Sequence, residues 1–442
     1  MTEKILVLGL SKSGIAAAKL GISLGYDVYI TEGKKEVNEL QIKELQNLGI
    51  KVEFGGHSDE FINKADFVIT SPGIPPKSEI FKRIQKENIP IISEVEFAYQ
   101  NSDTPFIAIT GTNGKTTTTA LVSHLLSKCY DAPACGNIGL PPSLLAEDDN
   151  DFLVCEISSY QAQMTAEFKP FISCWTNFTP DHIDWHEGLE NYFNAKAKIF
   201  LNKQAPNFAI LNAKDEKLLE FSKQCKKSKI FLFDTEDYPN SAFIKDSAIW
   251  YKEDGVEEKI IELKDSPLVG HHNYQNIMCG IICAKLCGME KEEILEGIKS
   301  FNAPEHRLEK VREMDGIVFY NDSKATNPEA SIVAIDSFSN VDVALILGGR
   351  DKNTDLTQMC ESINKHIKTV LLIGEATQRF EENLKKNGFN NIIEEETLEG
   401  AIDRAIELKP DVVLLSPACA SFDMFNSYEH RGEVFKEYVL SK

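Results

Sequence analysis

The chain has 442 residues, which at roughly 150 residues per domain corresponds to about three domains. Hydrophobic residues make up 42% and charged residues 26%, so a disordered, collagen-like or coiled-coil chain is excluded. The net charge of −21 argues against nucleic acid or an anionic membrane as partner, since both require a basic surface. Any anionic ligand must therefore be bound by local groups.

Short β-rich runs alternate with helical patterns along the first hundred residues. These runs cover residues 5–8, 28–31, 52–54, 67–70 and 89–92. Strands separated by helices are typical of parallel βαβ units. We therefore predict a Rossmann-like N-terminal domain over residues 1–95.

The alternation continues through the remaining chain, with one clear interruption. Further β-rich runs cover residues 106–110, 153–157, 172–177, 209–212, 230–233, 316–320, 343–348, 369–373 and 412–416. A helical pattern over residues 291–300 ends at Phe301-Asn302-Ala303-Pro304, which is a natural helix stop. We predict an α/β fold whose second and third domains cover residues 96–300 and 301–442, the third again Rossmann-like.

The first strand is followed by Gly9-Leu10-Ser11-Lys12-Ser13-Gly14, which has the outline of a dinucleotide-binding turn. Ser11 stands where a second glycine would let the backbone approach a pyrophosphate, which argues against a hydride-transfer cofactor. A plain tight turn and a modified site for a nucleotide diphosphate both stay open.

A second glycine-rich turn follows the strand over residues 106–110 and precedes a helix. Backbone amides of such a loop bind phosphate, Lys115 neutralises phosphate charge and Thr116 can ligate Mg²⁺. Ile109 replaces the first glycine of the usual phosphate-loop motif, so the loop is a variant. We predict a central sheet of the P-loop ATPase type, with these phosphate-binding residues: Gly111, Thr112, Asn113, Gly114, Lys115, Thr116 and Thr117.

Two acidic clusters follow strands of the central domain. Glu156 lies at a strand's carboxyl end, where a carboxylate can hold Mg²⁺ beside the loop phosphates. Asp181 and His182 follow the next strand, and they either contact metal or substrate or, for Asp181, cap a turn. Lys196 lies in an amphipathic helical pattern, from which we predict a lysine that faces solvent.

Polar clusters also follow the strands of the last domain. They are Asn321–Asn327, 348–352 and 416–423, and Arg307 follows the helix stop. Basic and hydroxyl side chains at one sheet edge suit recognition of a carboxylate and of nucleotide phosphate. Any one cluster taken alone is better explained as solvated loop charges.

The hydropathy and the cysteine spacing indicate the cellular compartment in which the chain works. No run approaches the ~18 apolar residues of a membrane span, and the N-terminal apolar stretch is too short for a signal peptide. We therefore expect a cytoplasmic protein. Cys279, Cys283 and Cys287 recur every four residues in an apolar helical stretch, which is typical of buried reduced thiols rather than metal ligands.

Together these motifs resemble the Mur ligases over essentially the whole chain, and most closely the members that add D-glutamate. The matching motifs, in family order, are GTNGKT at 111–116, GNIGLP at 136–141, ExSSxQ at 156–161, DHxD at 181–184, AK at 195–196, HNYxN at 272–276, HR at 306–307, NDSKATN at 321–327 and SPACASxD at 416–423. The resemblance implies an ATP-dependent ligase of bacterial peptidoglycan synthesis, which joins D-glutamate to UDP-N-acetylmuramoyl-L-alanine through an acyl phosphate. We expect a monomer.

The resemblance assigns catalytic roles to Lys115, Lys196 and His182. Thr116 and Glu156 would bind one Mg²⁺ and His182 a second. Lys196 matches a lysine that the family carries as a carbamate, which would make it an oxygen-rich metal ligand. This contradicts the solvated lysine that the helical pattern alone predicts.

Substrate contacts are implied in the same way. Further ATP-contacting positions are Asn276, Arg307, Asp322 and Lys324. The UDP-sugar substrate would contact Ser13, Ser71, Asn137 and Gln161. D-Glutamate would contact Thr326, Lys352, Ser421 and Tyr428, the last standing where phenylalanine is common. Some members carry an arginine after the second strand that is missing here, and whether Lys34 replaces it is open.

Three other functions are weighed against this one. A folylpolyglutamate synthase shares the central loop, but those enzymes lack a complete N-terminal domain. A nicotinamide-dependent oxidoreductase is weakened by Ser11. A non-catalytic nucleotide-binding regulator is the third alternative.

Overall fold

The structure is a computed structural model that describes residues 2–338, 341–351 and 353–442. The described residues form an N-terminal, a central and a C-terminal sheet, each flanked by helices, which confirms the predicted α/β class. Within these ranges no helix combines the length and apolar composition needed to cross a membrane.

The N-terminal domain is a parallel sheet between helices. Its elements are β1 (Lys4–Leu8), α1 (Lys12–Ser23), β2 (Asp27–Glu32), α2 (Glu39–Asn47), β3 (Lys51–Phe54), α3 (Asp59–Ile62), β4 (Phe67–Thr70), α4 (Glu79–Lys86), β5 (Ile91–Ser93) and α5 (Glu94–Gln100). The strand order is β3-β2-β1-β4-β5. Residues 5–8 of β1 are fully buried, as expected for a central parallel strand covered on both faces.

The central domain carries the predicted phosphate loop between β6 and α6. Its elements are β6 (Phe106–Thr110), α6 (Lys115–Leu126), β7 (Ala134–Gly136), β8 (Leu153–Glu156), α7 (Ser159–Gln163), β9 (Ile172–Trp175), α8 (Ile183–His186), α9 (Leu189–Leu201), β10 (Phe208–Asn212), α10 (Glu216–Ser222), β11 (Lys229–Phe233), β12 (Ser241–Lys245), β13 (Ala248–Glu253), β14 (Val256–Glu262), α11 (His271–Leu286) and α12 (Lys291–Ser300). The strand order is β14-β13-β12-β11-β10-β9-β6-β8-β7. β6 therefore lies between β8 and β9, and their carboxyl ends meet at one edge.

The prediction for the central domain omits β7 and the antiparallel strands β12, β13 and β14. Two-residue turns connect the last three strands, at Asp246-Ser247 and at Asp254-Gly255. All four turn residues have positive φ, between 48° and 85°, as type I′ hairpin turns require. Asp-Gly between β-rich runs is a hairpin signal that the sequence already contains.

The C-terminal domain is a mixed sheet with the strand order β15-β16-β20-β17-β18-β19. Its elements are β15 (Glu309–Met314), β16 (Ile317–Asn321), α13 (Pro328–Asp336), β17 (Val343–Gly348), α14 (Thr357–His366), β18 (Thr369–Ile373), α15 (Thr377–Lys386), β19 (Ile392–Glu394), α16 (Leu398–Leu408), β20 (Val412–Leu415) and α17 (Tyr428–Ser441). β15 pairs antiparallel with β16 through the turn Asp315-Gly316, another positive-φ pair. The prediction for this domain omits β15 and β19.

The chain divides into two compact units. One contains residues 1–265 and 275–299, which include the N-terminal and central sheets. The other contains residues 266–274 and 300–442, which include the C-terminal sheet.

Candidate active site

The phosphate loop is an open turn whose glycines are required by its geometry. Gly114 has φ +80°, and a Cβ there would lie 2.7 Å from Asn276 Oδ1. Gly111 has φ +152°, and a Cβ there would lie 1.9 Å from Thr176 Oγ1. Any larger residue at either position would displace the loop. Thr116 and Thr117 follow in the first turn of α6, whose backbone amides face the loop.

Two residues that follow β9 hold this loop in place. Thr176 Oγ1 donates to Asn113 O at 2.6 Å, and Asn177 Nδ2 donates to the same oxygen at 3.0 Å. Asn177 also accepts from the loop, through its Oδ1 from Asn113 N and through its carbonyl from Thr112 N. Sequence reasoning missed both residues as loop supports, although their place at a strand end was a usable signal.

Lys115 begins α6 and lies folded against its own loop. Its Nζ donates to Gly111 O at 3.0 Å and to Thr112 O at 2.7 Å. On the other side of the loop, Asn276 Oδ1 accepts from Thr118 Oγ1 at 3.1 Å. The structure therefore brings Asn276, from α11, to the phosphate loop.

Glu156 ends β8 opposite Ile109 of β6, next to the phosphate loop. It is 1% exposed, and its Oε1 accepts from Asn137 Nδ2 at 2.8 Å. Its Oε2 is buried and has no hydrogen-bond partner among the described residues. A buried carboxylate oxygen without a partner is costly, unless a cation binds it.

Lys196 lies on the buried face of α9, so the solvated lysine predicted from the helical pattern is wrong. It is 1% exposed, and its Nζ donates to Gly111 O at 2.7 Å. The same Nζ lies 4.8 Å from the centroid of the Tyr192 ring. Burial, assisted by the positive charge of Lys115, lowers the pKa of Lys196 well below its usual value.

His182 lies at the start of α8 with φ +51°. Its Nε2 is 3.3 Å from Asp181 Oδ2, and its ring centroid is 5.1 Å from that of Tyr160. Burial lowers its pKa; Asp181 opposes this shift, whereas the charges of Lys196 and Lys115 add to it. His182 therefore presents a neutral imidazole near both lysines. Asp181 Oδ1 accepts from His182 N at 2.8 Å, but among the described residues no side-chain hydrogen bond caps the start of α8.

The residues predicted to contact the UDP-sugar fall into two pairs. Ser11 Oγ links Ser13 Oγ at 3.0 Å and Ser71 Oγ at 2.7 Å, at the edge of an open cleft of about 510 Å³. Ser11 also accepts from Gly14 N, so the α1 N-terminus is capped by a side chain. Gln161 lines a smaller cavity together with Ser71.

Asn137 and Gln161 have hydrogen bonds that define their local roles. Asn137 donates to Glu156, as described above. Gln161 Oε1 accepts from Ser158 N and Ser158 Oγ in a capping box at the start of α7. Lys34 is exposed and lines the 510 Å³ cleft.

In the C-terminal unit, β16 and β20 are adjacent and end at the same edge of the sheet. Asp322, directly after β16, accepts from Ser416 Oγ at 2.7 Å and from Leu308 N at 3.1 Å. Burial raises the pKa of Asp322 to about 7. This carboxyl therefore joins the loop after β20 to the segment that contains Arg307.

Four more predicted residues follow these two strands in the chain. Lys324 Nζ lies 5.3 Å from the centroid of the Tyr428 ring, which brings an ATP-assigned residue next to a D-glutamate-assigned one. Ser421 is 1% exposed, and its Oγ has no partner among the described residues. Thr326 precedes Asn327, the N-cap of α13. Lys352 lies outside the described residues.

Arg431 of α17 is a supporting residue that sequence reasoning missed. It is 1% exposed, and its guanidinium donates to Ser323 Oγ and O at 2.9 Å and to Cys419 O at 3.1 Å. It therefore joins the loop that contains Asp322 and Lys324 to the loop that contains Ser421. The apolar residues Phe435 and Val439, four and eight positions later, marked this face as buried.

Family models match all three domains. They are the Mur ligase MurD-like N-terminal domain over residues 3–93, the Mur ligase middle domain over 109–284, and the Mur ligase glutamate ligase domain over 306–419. Among solved structures, MurF from Acinetobacter baumannii superposes with a TM-score of 0.63 at 16% identity, covering 100% of this chain and 94% of that one. At that identity the likeness shows the fold alone.

Curated relatives are similar over their full length. A UDP-N-acetylmuramoylalanine--D-glutamate ligase of Thermoanaerobacter pseudethanolicus is 40% identical over 449 residues, covering 99% of this chain and 98% of the relative. One of Koribacter versatilis is 39% identical over 443 residues, covering 99% and 97%. Identity at this level along the whole chain, with matches to all three domain models, means that the chain belongs to the Mur ligase family.

Proposed function

We propose that the protein is an ATP-dependent ligase that joins D-glutamate to UDP-N-acetylmuramoyl-L-alanine in the synthesis of peptidoglycan precursors. Full-length similarity to ligases of that name supports the substrates. The observation that carries the chemistry is the group of Lys115, Lys196 and Glu156 around the phosphate loop. The side chains of Lys196 and Glu156 are ionisable, yet each residue is only 1% exposed.

The reaction has two steps. An oxygen of the L-alanine carboxylate attacks the γ-phosphorus of ATP, so that an acyl phosphate forms and ADP leaves. The amine of D-glutamate then attacks the acyl carbon, loses a proton, and expels phosphate. Lys115 stabilises the transferring phosphoryl group through charge, and the loop amides hold the remaining oxygens.

The residues present fit a Mg²⁺ site. Within the described part of the chain, Glu156 Oε2 is a buried oxygen without a hydrogen-bond partner. Thr116 follows Lys115 at the position that ligates Mg²⁺ in phosphate loops. Glu156 and Thr116 would hold one ion and His182 would help to hold a second. When bound, Mg²⁺ supplies charge that offsets the negative oxygens of the reacting phosphate.

Lys196 is suited to become a carbamate. Only a neutral amine attacks CO₂, and burial beside Lys115 lowers the pKa of Lys196, which favours that form. The nitrogen bonds to the carbon of CO₂ and releases one proton, which leaves an anionic carboxyl group on Nζ. That group would add metal-binding oxygens, and the positive charge of Lys115 would stabilise it.

The substrates are assigned to the two units as follows. Ser13, Ser71, Asn137 and Gln161 bind the UDP-sugar, the two serines from the N-terminal cleft and the two amides from the central domain. Asn276, Arg307, Asp322 and Lys324 contact ATP. Thr326, Lys352, Ser421 and Tyr428 bind D-glutamate. The Ser421 hydroxyl, which has no hydrogen-bond partner among the residues that the structure describes, can donate to a carboxylate. Domain boundaries at 95/96 and 300/301, a monomer and a cytoplasmic location complete this proposal.

The alternative of a nicotinamide-dependent oxidoreductase is disfavoured by the N-terminal turn. Ser11 Oγ accepts a hydrogen bond from Gly14 N at the start of α1. A bound pyrophosphate would need this backbone amide. No comparable observation favours a non-catalytic regulator. Another amino-acid ligase of the same family is the closer alternative.

Release of phosphate tests the function and the choice of amino acid together. The purified chain is supplied with ATP, Mg²⁺ and UDP-N-acetylmuramoyl-L-alanine, and D-glutamate, L-glutamate, L-alanine and L-lysine are compared. We expect sustained release with D-glutamate only. Release that depends on a different amino acid would replace the proposed substrate, and release with none would refute the ligase.

A further inference from the structure

Three thiols meet behind the phosphate loop. Cys174 lies on β9, and Cys279 and Cys283 lie one turn apart on α11. Their sulfur atoms all lie within 4.8 Å of one another, and the Cys174 and Cys283 sulfurs are 3.4 Å apart. The sequence predicts buried thiols at Cys279, Cys283 and Cys287, but Cys287 is only partly buried.

The surroundings of the cluster are buried and apolar. All three cysteines are fully buried, as are their helix neighbours Ile277 and Ile281. Within the described residues the group contains three sulfur atoms and no imidazole or carboxylate. Burial raises the pKa of the Cys174 and Cys283 thiols.

Three sulfur donors without a fourth ligand favour some thiophilic ions over others. Zn²⁺ requires a fourth ligand and would leave a net negative charge with three thiolates, and Cu⁺ would leave a larger one. A buried charge without a partner is strongly unfavourable. Trivalent arsenic forms three bonds to sulfur, needs no fourth ligand and leaves no charge.

We propose that Cys174, Cys279 and Cys283 form a three-sulfur binding site for a trivalent thiophilic metalloid of the arsenite class. Arsenous acid, As(OH)₃, enters uncharged. Each As–O bond is replaced by an As–S bond, and each hydroxyl leaves as water with the proton of one thiol. No oxidation or reduction occurs, and three waters are released for each arsenic bound.

Occupation of this site would reach the phosphate loop through both elements that hold the thiols. β9 continues into Thr176 and Asn177, which bind the loop at Asn113. α11 places Asn276 beside Gly114, one turn before Cys279. Three As–S bonds would join β9 to α11. Because the arsenic would bind only the folded chain, it would raise the melting temperature of the protein.

The test uses the reduced full-length chain, sodium arsenite as the probe, and native mass spectrometry with thermal unfolding as readouts. We expect one arsenic per chain, with the loss of three protons, and a higher Tm. Cys283→Ala should weaken binding by at least about tenfold and lose the Tm increase. Cys225→Ala, which truncates a buried cysteine outside the cluster, should retain both.

A second variant covers the case in which Cys283→Ala does not fold. Cys174→Ser keeps nearly the same shape on the other element and should also lose the arsenic. No arsenic on the unmodified chain, or equal binding by the cluster variants and by Cys225→Ala, would overturn the proposal. Neither readout depends on the ligase activity, so failure here leaves the proposed function unaffected.

Discussion

Replacing Lys115 with alanine is expected to lower kcat by about 10³-fold, the loss typical for a group that stabilises transition-state charge. The fold should survive, because the hydrogen bonds that Lys115 donates to Gly111 O and Thr112 O end on carbonyls of its own loop. Loss of these bonds costs about 1 kcal/mol of unfolding free energy. Steady-state phosphate release and urea unfolding of the same preparation measure both effects.

Lys128→Ala is the matched control for this variant. Lys128 follows the carboxyl end of the same helix, where it pairs with Glu296 at 3.6 Å. Its removal takes away one positive charge far along α6 from the loop, so turnover should stay unchanged. A Lys115→Ala enzyme with normal turnover would remove Lys115 from its proposed role.

Replacing Lys196 with alanine is expected to lower kcat by about 10²–10³-fold, since the variant loses the proposed carbamate oxygens. Added bicarbonate or acetate should restore part of the activity, because a small carboxylate fits the space left by the side chain. The measurement is turnover against carboxylate concentration, with circular dichroism to confirm that the variant is folded.

Two controls make this rescue specific. Lys203→Ala removes an exposed lysine shortly after α9 that pairs with Glu167, and it should keep full activity without added carboxylate. The Lys115→Ala enzyme should not respond to acetate, because it lacks a cation rather than an anion. Full activity of Lys196→Ala would reject the carbamate, and rescue of both variants would show a nonspecific salt effect.

The parts of the fold that the sequence predicts are those whose signals lie within a few neighbouring residues. Apolar runs such as residues 5–8 and 106–110 become central strands because both faces are covered by helices. The glycines of the phosphate loop are also a local signal, since the backbone conformation at their positions requires glycine. The hairpin of β13 and β14 also has a local signal, the dipeptide Asp254-Gly255. The prediction omitted this hairpin because it followed the alternation of strands with helices.

The burial of charged residues was harder to predict because it depends on partners distant in sequence. Lys196 lies at helical spacing from Tyr192 and Ile199 and therefore shares their buried face, yet a lysine in such a pattern is usually solvated. Its partner, Gly111 O, is 85 residues away in the chain. Arg431 is a similar case, since its acceptors lie on two other loops. Cys174 joins the α11 thiols only through tertiary packing.

The transfer of one oxygen atom tests the central claim most directly, because the acyl-phosphate route places a carboxylate oxygen in the released phosphate. UDP-N-acetylmuramoyl-L-alanine labelled with oxygen-18 in its alanine carboxylate is incubated with the enzyme, ATP, Mg²⁺ and D-glutamate. Mass spectrometry of the phosphate should then find one labelled oxygen for each peptide bond formed. Unlabelled phosphate together with formation of the amide product would contradict activation of the carboxylate by phosphoryl transfer.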